Sequence, residues 1–136
     1  MKSKDLIAPH INNNQLASVM NKTKWRELAE LMTSNNDFNP VVRVKYLLDN
    51  ELGGFSHLDW DWVKFGDSRE IEWLEIDPMR RDYVGMLVNK KEFDFTEWVR
   101  AALLSKTIPF DETDGIFKIR GYIRPNAETH KRLKLP

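Results

Sequence analysis

The alternating stretch at residues 41–47, VVRVKYL, decides the fold, because its hydrophobic period is two rather than 3.6. Arg43 and Lys45 point to one side of an extended chain, and the apolar residues beside them point to the other. One charged face and one apolar face are typical of a strand that is buried on one side only. We therefore predict a half-buried β-strand that starts directly after Pro40.

Two further strands are predicted on the C-terminal side of this stretch. Residues 70–76, EIEWLEI, are rich in apolar side chains and end at residues 77–78, DP, where the proline cannot donate to a strand ladder. Residues 116–123, IFKIRGYI, alternate and follow the turn-forming pair DG at 114–115. Strands joined by short turns are expected to be antiparallel.

A fourth strand is predicted at residues 55–65, FSHLDWDWVKF, because polar and apolar residues alternate there as well. On such a strand Leu58, Trp60 and Trp62 would share one face. The opposite face would carry an imidazole and two carboxylates, those of His57, Asp59 and Asp61.

Two amphipathic helices complete the pattern. Asn21 or Thr23 caps the first, whose apolar stripe begins at Trp25, and residues 94–97, DFTE, start the second. We predict an α+β fold of two layers, with a mostly antiparallel sheet of about four strands covered on one face by two helices. The expected organisation is a flexible N-terminal arm (1–20), a single α+β domain (21–125) and a C-terminal tail or short helix (126–136). Residues 79–93 fit a helix and an extended segment equally well.

Composition excludes several classes of protein. The chain of 136 residues has no cysteine, so disulfides, thiolate metal sites and cysteine nucleophiles are absent. No apolar run approaches the ~20 residues of a membrane span, and the first residues do not resemble a signal peptide. The formal net charge of zero argues against a whole-domain nucleic-acid binder. No phosphate-binding loop or serine nucleophile elbow occurs, and no catalytic residue, cofactor or metal is assigned.

The charge is unevenly distributed along the chain. Residues 1–33 carry a net +2, residues 34–78 a net −6 and residues 79–136 a net +4. Mixed charges of this kind keep a surface soluble. An acidic face also steers a basic partner, because the summed field of a protein acts on association rates.

Three surfaces are candidates for function. Asp59, Trp60, Asp61 and Trp62 form an acidic, aromatic patch, in which the tryptophans are either core or the anchors of a protein interface. His57 with Asp59 and Asp61 suggests a divalent cation or acid–base chemistry, and hence a metal-dependent hydrolase, although alternation alone also gives a polar face. The third is a basic C-terminal face that suits nucleic acid or is simply solvated, and it comprises Lys118, Arg120, Tyr122, Arg124, Lys131, Arg132 and Lys134.

Three short motifs follow one another along the chain: NKTKW at 21–25, IEWLEI at 71–76 and GYIRP at 121–125. Together they resemble a family of small, uncharacterised bacterial single-domain proteins. The resemblance implies a bacterial, cytoplasmic protein and transfers no catalytic residues. Small bacterial proteins of this kind are associated with antitoxin-like or immunity functions.

The leading hypothesis from the sequence is a non-enzymatic protein-binding domain, in its most concrete form an immunity or antitoxin-like protein. It would hold a basic protein partner with Asp59, Trp60, Asp61 and Trp62, and a homodimer is left open. The alternatives are a metal-dependent hydrolase centred on His57, Asp59 and Asp61, and a nucleic-acid-binding module that uses the C-terminal basic face.

Overall fold

The computed structural model describes residues 5–82, Gly85 and residues 91–124. Its helices are α1 (Ile7–Asn13), α2 (Lys22–Met32), α3 (Trp60–Phe65) and α4 (Thr96–Ser105), with a 3-10 turn at Ser68–Glu70. Its strands are β1 (Ala17–Ser18), β2 (Val41–Tyr46), β3 (Ser56–His57), β4 (Ile71–Asp77), β5 (Met79–Asp82), β6 (Lys91–Asp94), β7 (Asp111–Thr113), β8 (Ile116–Arg120) and β9 (Tyr122–Ile123).

The main sheet has five antiparallel strands in the order β3-β2-β4-β8-β7. Two smaller antiparallel pairs, β1-β9 and β5-β6, stand beside it. The prediction of an α+β fold built on an antiparallel sheet is therefore confirmed. The main sheet has one strand more than expected, because β7 is a separate edge strand of three residues ahead of β8.

The inner face of the sheet forms the core. Cross-strand partners share a face of a sheet. Two apolar rows therefore cross it, Val42–Ile76–Phe117 and Val44–Leu74–Ile119.

Helices cover this inner face, as the sequence predicts. In α2, the carboxamide of Asn21 accepts a hydrogen bond from the Lys24 amide at 2.8 Å and so caps the helix. The stripe that begins at Trp25 is buried against the sheet, and so is the stripe of α4 that includes Leu103. The short helix α3 contributes Trp60 to the same core.

The outer face of the sheet carries charged side chains in matched positions. Arg43 lies opposite Glu75, which lies opposite Lys118. In the next row Lys45 lies opposite Trp73, which lies opposite Arg120. We call these six residues, with Asp111 of β7, the paired face.

The predicted strand at 55–65 is wrong for most of its length. Only Ser56 and His57 form a strand, and a helix begins at Trp60. The reason is Asp59, whose carboxylate accepts hydrogen bonds from the amides of Asp61 and Trp62 and so starts a helix. His57, Asp59 and Asp61 therefore do not share one strand face.

The predicted strand at 116–123 is divided at Gly121. The backbone of Ile71 comes so close that a Cβ at Gly121 would lie 2.4 Å from its carbonyl oxygen. The Gly121 amide donates to the Glu72 carbonyl oxygen at 2.8 Å, and the chain then leaves the main sheet to pair with β1. The alternation shifts as a result, and Tyr122 becomes buried instead of facing outward.

Residues 5–20 lie within the segment expected to be a flexible arm, but they contain a helix and a short strand. The segment contains the helix α1 at Ile7–Asn13, and β1 pairs with β9. Ile7 and Leu16 join Leu47 and Tyr122 in a second apolar cluster. The undecided stretch at 79–93 contains β5 and the start of β6, and the expected tail at 126–136 lies outside the described residues.

Candidate binding surface

A continuous acidic segment follows β2. Residues 46–63 contain four carboxylates and neither lysine nor arginine. All four are exposed, and we call them the acidic rim: Asp49, Glu51, Asp59 and Asp61.

The rim surrounds two neighbouring grooves that share Leu58. Asp49 and Glu51 line a groove of about 260 Å³ along the edge of β2. Asp59 and Asp61 line a second groove, of about 340 Å³, beside the end of α2. Because Leu58 borders both grooves, the two pairs of carboxylates line neighbouring grooves although they come from two separate turns of the chain.

Two of the rim carboxylates are held by backbone amides and not by cations. Asp49 accepts the Glu51 amide at 2.9 Å, and Asp59 accepts the Asp61 amide at 3.0 Å. Across residues 5–82 and 91–124, none of the four lies within 4.0 Å of a lysine or arginine nitrogen. Lys45, which borders the segment, donates to the Tyr46 carbonyl oxygen at 2.6 Å instead. The negative charge of the rim therefore has no compensating ion pair in the described part of the chain.

Exposed apolar side chains accompany these carboxylates. Leu48 and Leu52 lie in the loop between β2 and β3 and are 48% and 46% exposed. Phe55, at the end of this loop, instead packs against Arg43 of the paired face, whose guanidinium lies 5.1 Å from the centre of its ring. Apolar groups at an interface contribute affinity because their burial removes them from water. The surface thus combines like charges with apolar contact area.

The structure separates the four site residues predicted from the sequence. Asp59 and Asp61 are on the surface, but Trp60 is only 5% exposed and belongs to the core. Trp62 is half-buried and packs edge-on against Tyr46, with ring centroids 5.9 Å apart. Neither tryptophan projects from the acidic surface as an anchor.

Sequence reasoning missed Asp49, Glu51 and the apolar loop residues between the two strands. The signal that marks them is the absence of any lysine or arginine from residue 46 to residue 63. A charge count over thirds of the chain is too coarse to find it.

His57 lies apart from the rim, in a polar groove of about 760 Å³. In the register of the sheet, Val41 separates it from Asp77. The Asp77 carboxylate already accepts the Met79 amide at 3.0 Å and the Arg81 guanidinium at 2.8 Å. No group of three histidine, aspartate or glutamate side chains suited to a metal ion occurs among the described residues.

The C-terminal basic face is engaged in internal contacts. Arg120 donates to Asp111 at 3.0 Å, and the Arg124 guanidinium lies 3.7 Å from Glu72. The Lys118 ammonium lies 4.2 Å from the centre of the Trp73 ring. Burial, together with neighbouring Arg120, lowers the pKa of Lys118.

The interleaved aromatic of this basic face, Tyr122, is buried. Its hydroxyl donates to the Arg69 carbonyl oxygen at 2.9 Å. Burial raises the pKa of Tyr122. It therefore presents no ring for a base to stack on. Lys131, Arg132 and Lys134 lie outside the described residues.

Fold and surface together define a small α+β domain whose sheet is covered by helices on one face and bordered by an acidic rim. In its described residues no helix is long and apolar enough to cross a bilayer. The chain belongs to a family of unknown function (DUF6678), whose model matches residues 7–126. This agrees with the resemblance to a family of uncharacterised proteins. No curated protein and no solved structure gives a significant match.

Proposed function

We propose that this protein is a non-enzymatic binding domain that holds a basic protein partner at the acidic rim. The observation that carries the proposal is the contrast in pairing. Carboxylates such as Glu75, Asp77 and Asp111 each have an arginine partner, whereas the four rim carboxylates have none among the described residues.

Unpaired like charges have a physical consequence that paired charges lack. They produce a negative field that extends about a Debye length, roughly 8 Å at physiological salt, and raises the association rate of a basic partner. Leu48 and Leu52, the sequence neighbours of Asp49 and Glu51, supply apolar area next to that field. Charge then selects and orients the partner, and apolar burial slows its dissociation.

The most concrete form of this proposal is an immunity or antitoxin-like protein of the bacterial cytoplasm. The bacterial and cytoplasmic setting rests on the sequence resemblance alone. A neutralising protein requires a complementary surface and no cofactor or bond-breaking step. That requirement fits a surface whose carboxylates are all exposed and of which Asp49 and Asp59 are oriented by backbone amides.

The test uses a short synthetic peptide of alternating lysine and valine as the basic probe. Binding is measured by calorimetry at low and at physiological salt, with a glutamate–valine peptide as the charge-reversed control. We expect the lysine peptide to bind and its affinity to fall as salt rises, because exposed charges are screened. The glutamate peptide is expected not to bind.

Two double variants of equal net charge locate the interaction. Asp49→Asn/Glu51→Gln neutralises half of the rim, and Glu30→Gln/Asp114→Asn neutralises two exposed carboxylates elsewhere. The rim variant is expected to weaken lysine-peptide binding about fivefold, since each exposed charge contributes up to about 1 kcal/mol. The control variant should bind like wild type. An equal loss in both variants would refute the acidic-rim model.

A further inference from the structure

The outer edge of β2 is covered over only part of its length. β3 pairs only with Val41 and Val42. Its first residue, Ser56, lies opposite Val42, so β3 does not extend along residues 43–46. Residues 43–46 continue as a strand with β4 on one side. Within the described residues no strand pairs with them on the other side. An uncovered strand edge is a template for another chain, because its backbone groups are unpaired.

Two backbone hydrogen bonds show which residues of β2 face this open edge. The Leu47 amide donates to the Glu70 carbonyl oxygen at 2.7 Å, so odd-numbered residues of β2 point toward β4. The bond from Gly121 to Glu72, at 2.8 Å, points the even-numbered residues of β4 toward β8 and its odd-numbered residues toward β2. The register between the two strands shifts by one residue at this point, because Lys45 is opposite Trp73 whereas Tyr46 is opposite Ile71. The extra residue, Glu72, belongs to β4, so the alternation of backbone direction continues unbroken along β2 and both bonds give β2 the same parity. The N–H and C=O groups of Val44 therefore point outward.

The carbonyl oxygen of Tyr46, which has the same parity, is already used. It accepts the Lys45 ammonium at 2.6 Å and the Asp49 amide at 3.2 Å. Val44 has no ladder partner on its outer side among the described residues. Its amide and carbonyl are thus the pair available to an added strand.

A groove runs along this edge, and its walls differ in charge. Val44 and Tyr46 line it together with Asp49 and Glu51, so these carboxylates lie on the side of the sheet that carries the Val44 side chain. The opposite side carries the cations of the paired face, Arg43 and Lys45. Gly53, on the far wall, has open space where a Cβ would be.

We propose that a basic segment of the protein partner adds to this edge as an antiparallel strand in register with Val44; this inference rests on the proposed function. The antiparallel direction continues that of β3 on the same edge. Residues directly opposite each other share a face, so a lysine opposite Val44 points toward Asp49 and Glu51. Lysine at the alternate positions would meet Arg43 and Lys45, which fixes the register by charge.

Backbone methylation of the lysine–valine peptide tests the strand pairing while the protein remains wild type. One peptide is N-methylated at its lysines and the other at its valines, so composition and charge are equal. In the proposed register the lysine amides donate to Val44 and the valine amides face away. We expect methylation at lysine to weaken binding about tenfold or more, because it removes a backbone hydrogen bond and adds a clash at the edge. Methylation at valine should change binding less than about twofold.

The outcomes separate this inference from the proposed function. If both methylated peptides bind like the parent peptide, or if only valine methylation weakens binding, the antiparallel edge pairing is wrong while the acidic-rim function stands. If the parent peptide does not bind at all, both proposals fail. Sedimentation of the free protein checks the other occupant of such an edge, a second copy of this chain, and a dimer broken by Val44→Pro would overturn the inference.

A pair of proline variants tests the same edge from the protein side. Val44→Pro removes an outward N–H, and proline is tolerated at such edge positions. Arg43→Pro removes an N–H that bonds to β4. We expect Val44→Pro to fold and to lose peptide binding about tenfold or more, and Arg43→Pro to unfold. Unchanged peptide binding by Val44→Pro would overturn the proposal, and if this variant does not fold the methylated peptides decide.

Discussion

The paired face and the acidic rim lie on either side of β2 and treat charge in opposite ways. On the paired face, Arg43 donates to Glu75 at 2.8 Å and Arg120 to Asp111 at 3.0 Å. On the rim, carboxylates such as Asp49 and Asp59 accept only backbone amides. The same strand thus separates a surface of matched ion pairs from a surface of like charges.

This difference separates structural charges from charges available to a partner. A matched pair cancels most of its own field at a distance and holds neighbouring strands in register. Like charges without partners repel one another and add nothing to stability, but their field extends into the solvent. On this view the paired face maintains the sheet, and the acidic rim selects what binds to it.

The largest loss of stability is expected at Gly121, where the backbone of a neighbouring strand comes very close. Gly121→Ala would place a Cβ 2.4 Å from the Ile71 carbonyl oxygen and 3.3 Å from the Trp25 ring, so backbone must move. We expect a loss of about 3 kcal/mol in the free energy of unfolding, measured by urea denaturation. Gly53→Ala, beside the rim, meets nothing within 4 Å and should stay within about 0.5 kcal/mol of wild type. Similar losses in both variants would remove the contrast in packing.

A smaller effect is expected from breaking one pair. Glu75→Gln leaves the Arg43 guanidinium, whose side chain is only 33% exposed, without its carboxylate. We expect a loss of about 1–2 kcal/mol, less than for a fully buried pair. The same change at Glu51, in the rim, removes no ion pair and should leave the unfolding free energy within about 0.5 kcal/mol of wild type. Urea titrations of both variants decide, and a loss at Glu51 equal to that at Glu75 would contradict the division.

The sequence predicts the paired region better than the rim, and the reason is physical. Alternation over residues 41–47 reflects a sheet with one buried face, so β2 and its neighbour β4 are found at nearly their true bounds. Residues 55–65 alternate as well, but one local interaction overrides the pattern. The carboxylate of Asp59 caps a helix, and the apolar residues Trp60 and Val63, three apart, become its buried side.

The sequence predicts only half of the acidic rim, for a related reason. Asp59 and Asp61 are exposed as predicted, but burial of Trp60 depends on how α3 packs, which no local pattern gives. Asp49 and Glu51 join them through the fold of the loop around Leu58. Contacts between turns that are distant in sequence have no periodic signal. The outward parity of Val44 likewise follows from hydrogen bonds that only the three-dimensional structure provides.

The smallest expected effect is a pH-dependent loss of stability at Asp67, a carboxylate that has an arginine partner and lies outside the acidic rim. Asp67 follows α3 closely in the chain, yet it accepts hydrogen bonds from the Arg69 guanidinium at 2.8 and 2.9 Å, and Arg69 lowers the pKa of this carboxyl below its ordinary value of 3.8. When the pKa of a carboxyl is lower in the folded than in the unfolded protein, the ionised carboxyl stabilises the fold at pH values above the unfolded pKa. This stabilisation is lost as the pH falls through the folded pKa.

Asp67→Asn should therefore cost less than about 1 kcal/mol at neutral pH, because the pair is exposed, and the gap to wild type should narrow as pH falls below 4. The measurement is urea denaturation across this pH range, repeated in an Arg69→Gln background, where the narrowing should disappear. A gap that stays constant with pH would mean that Asp67 acts through its cap on the 3-10 turn, which asparagine keeps, and not through its charge. In that case an ion pair with an arginine would not by itself make an exposed carboxylate contribute to stability. The difference between the paired face and the acidic rim would then rest on burial alone.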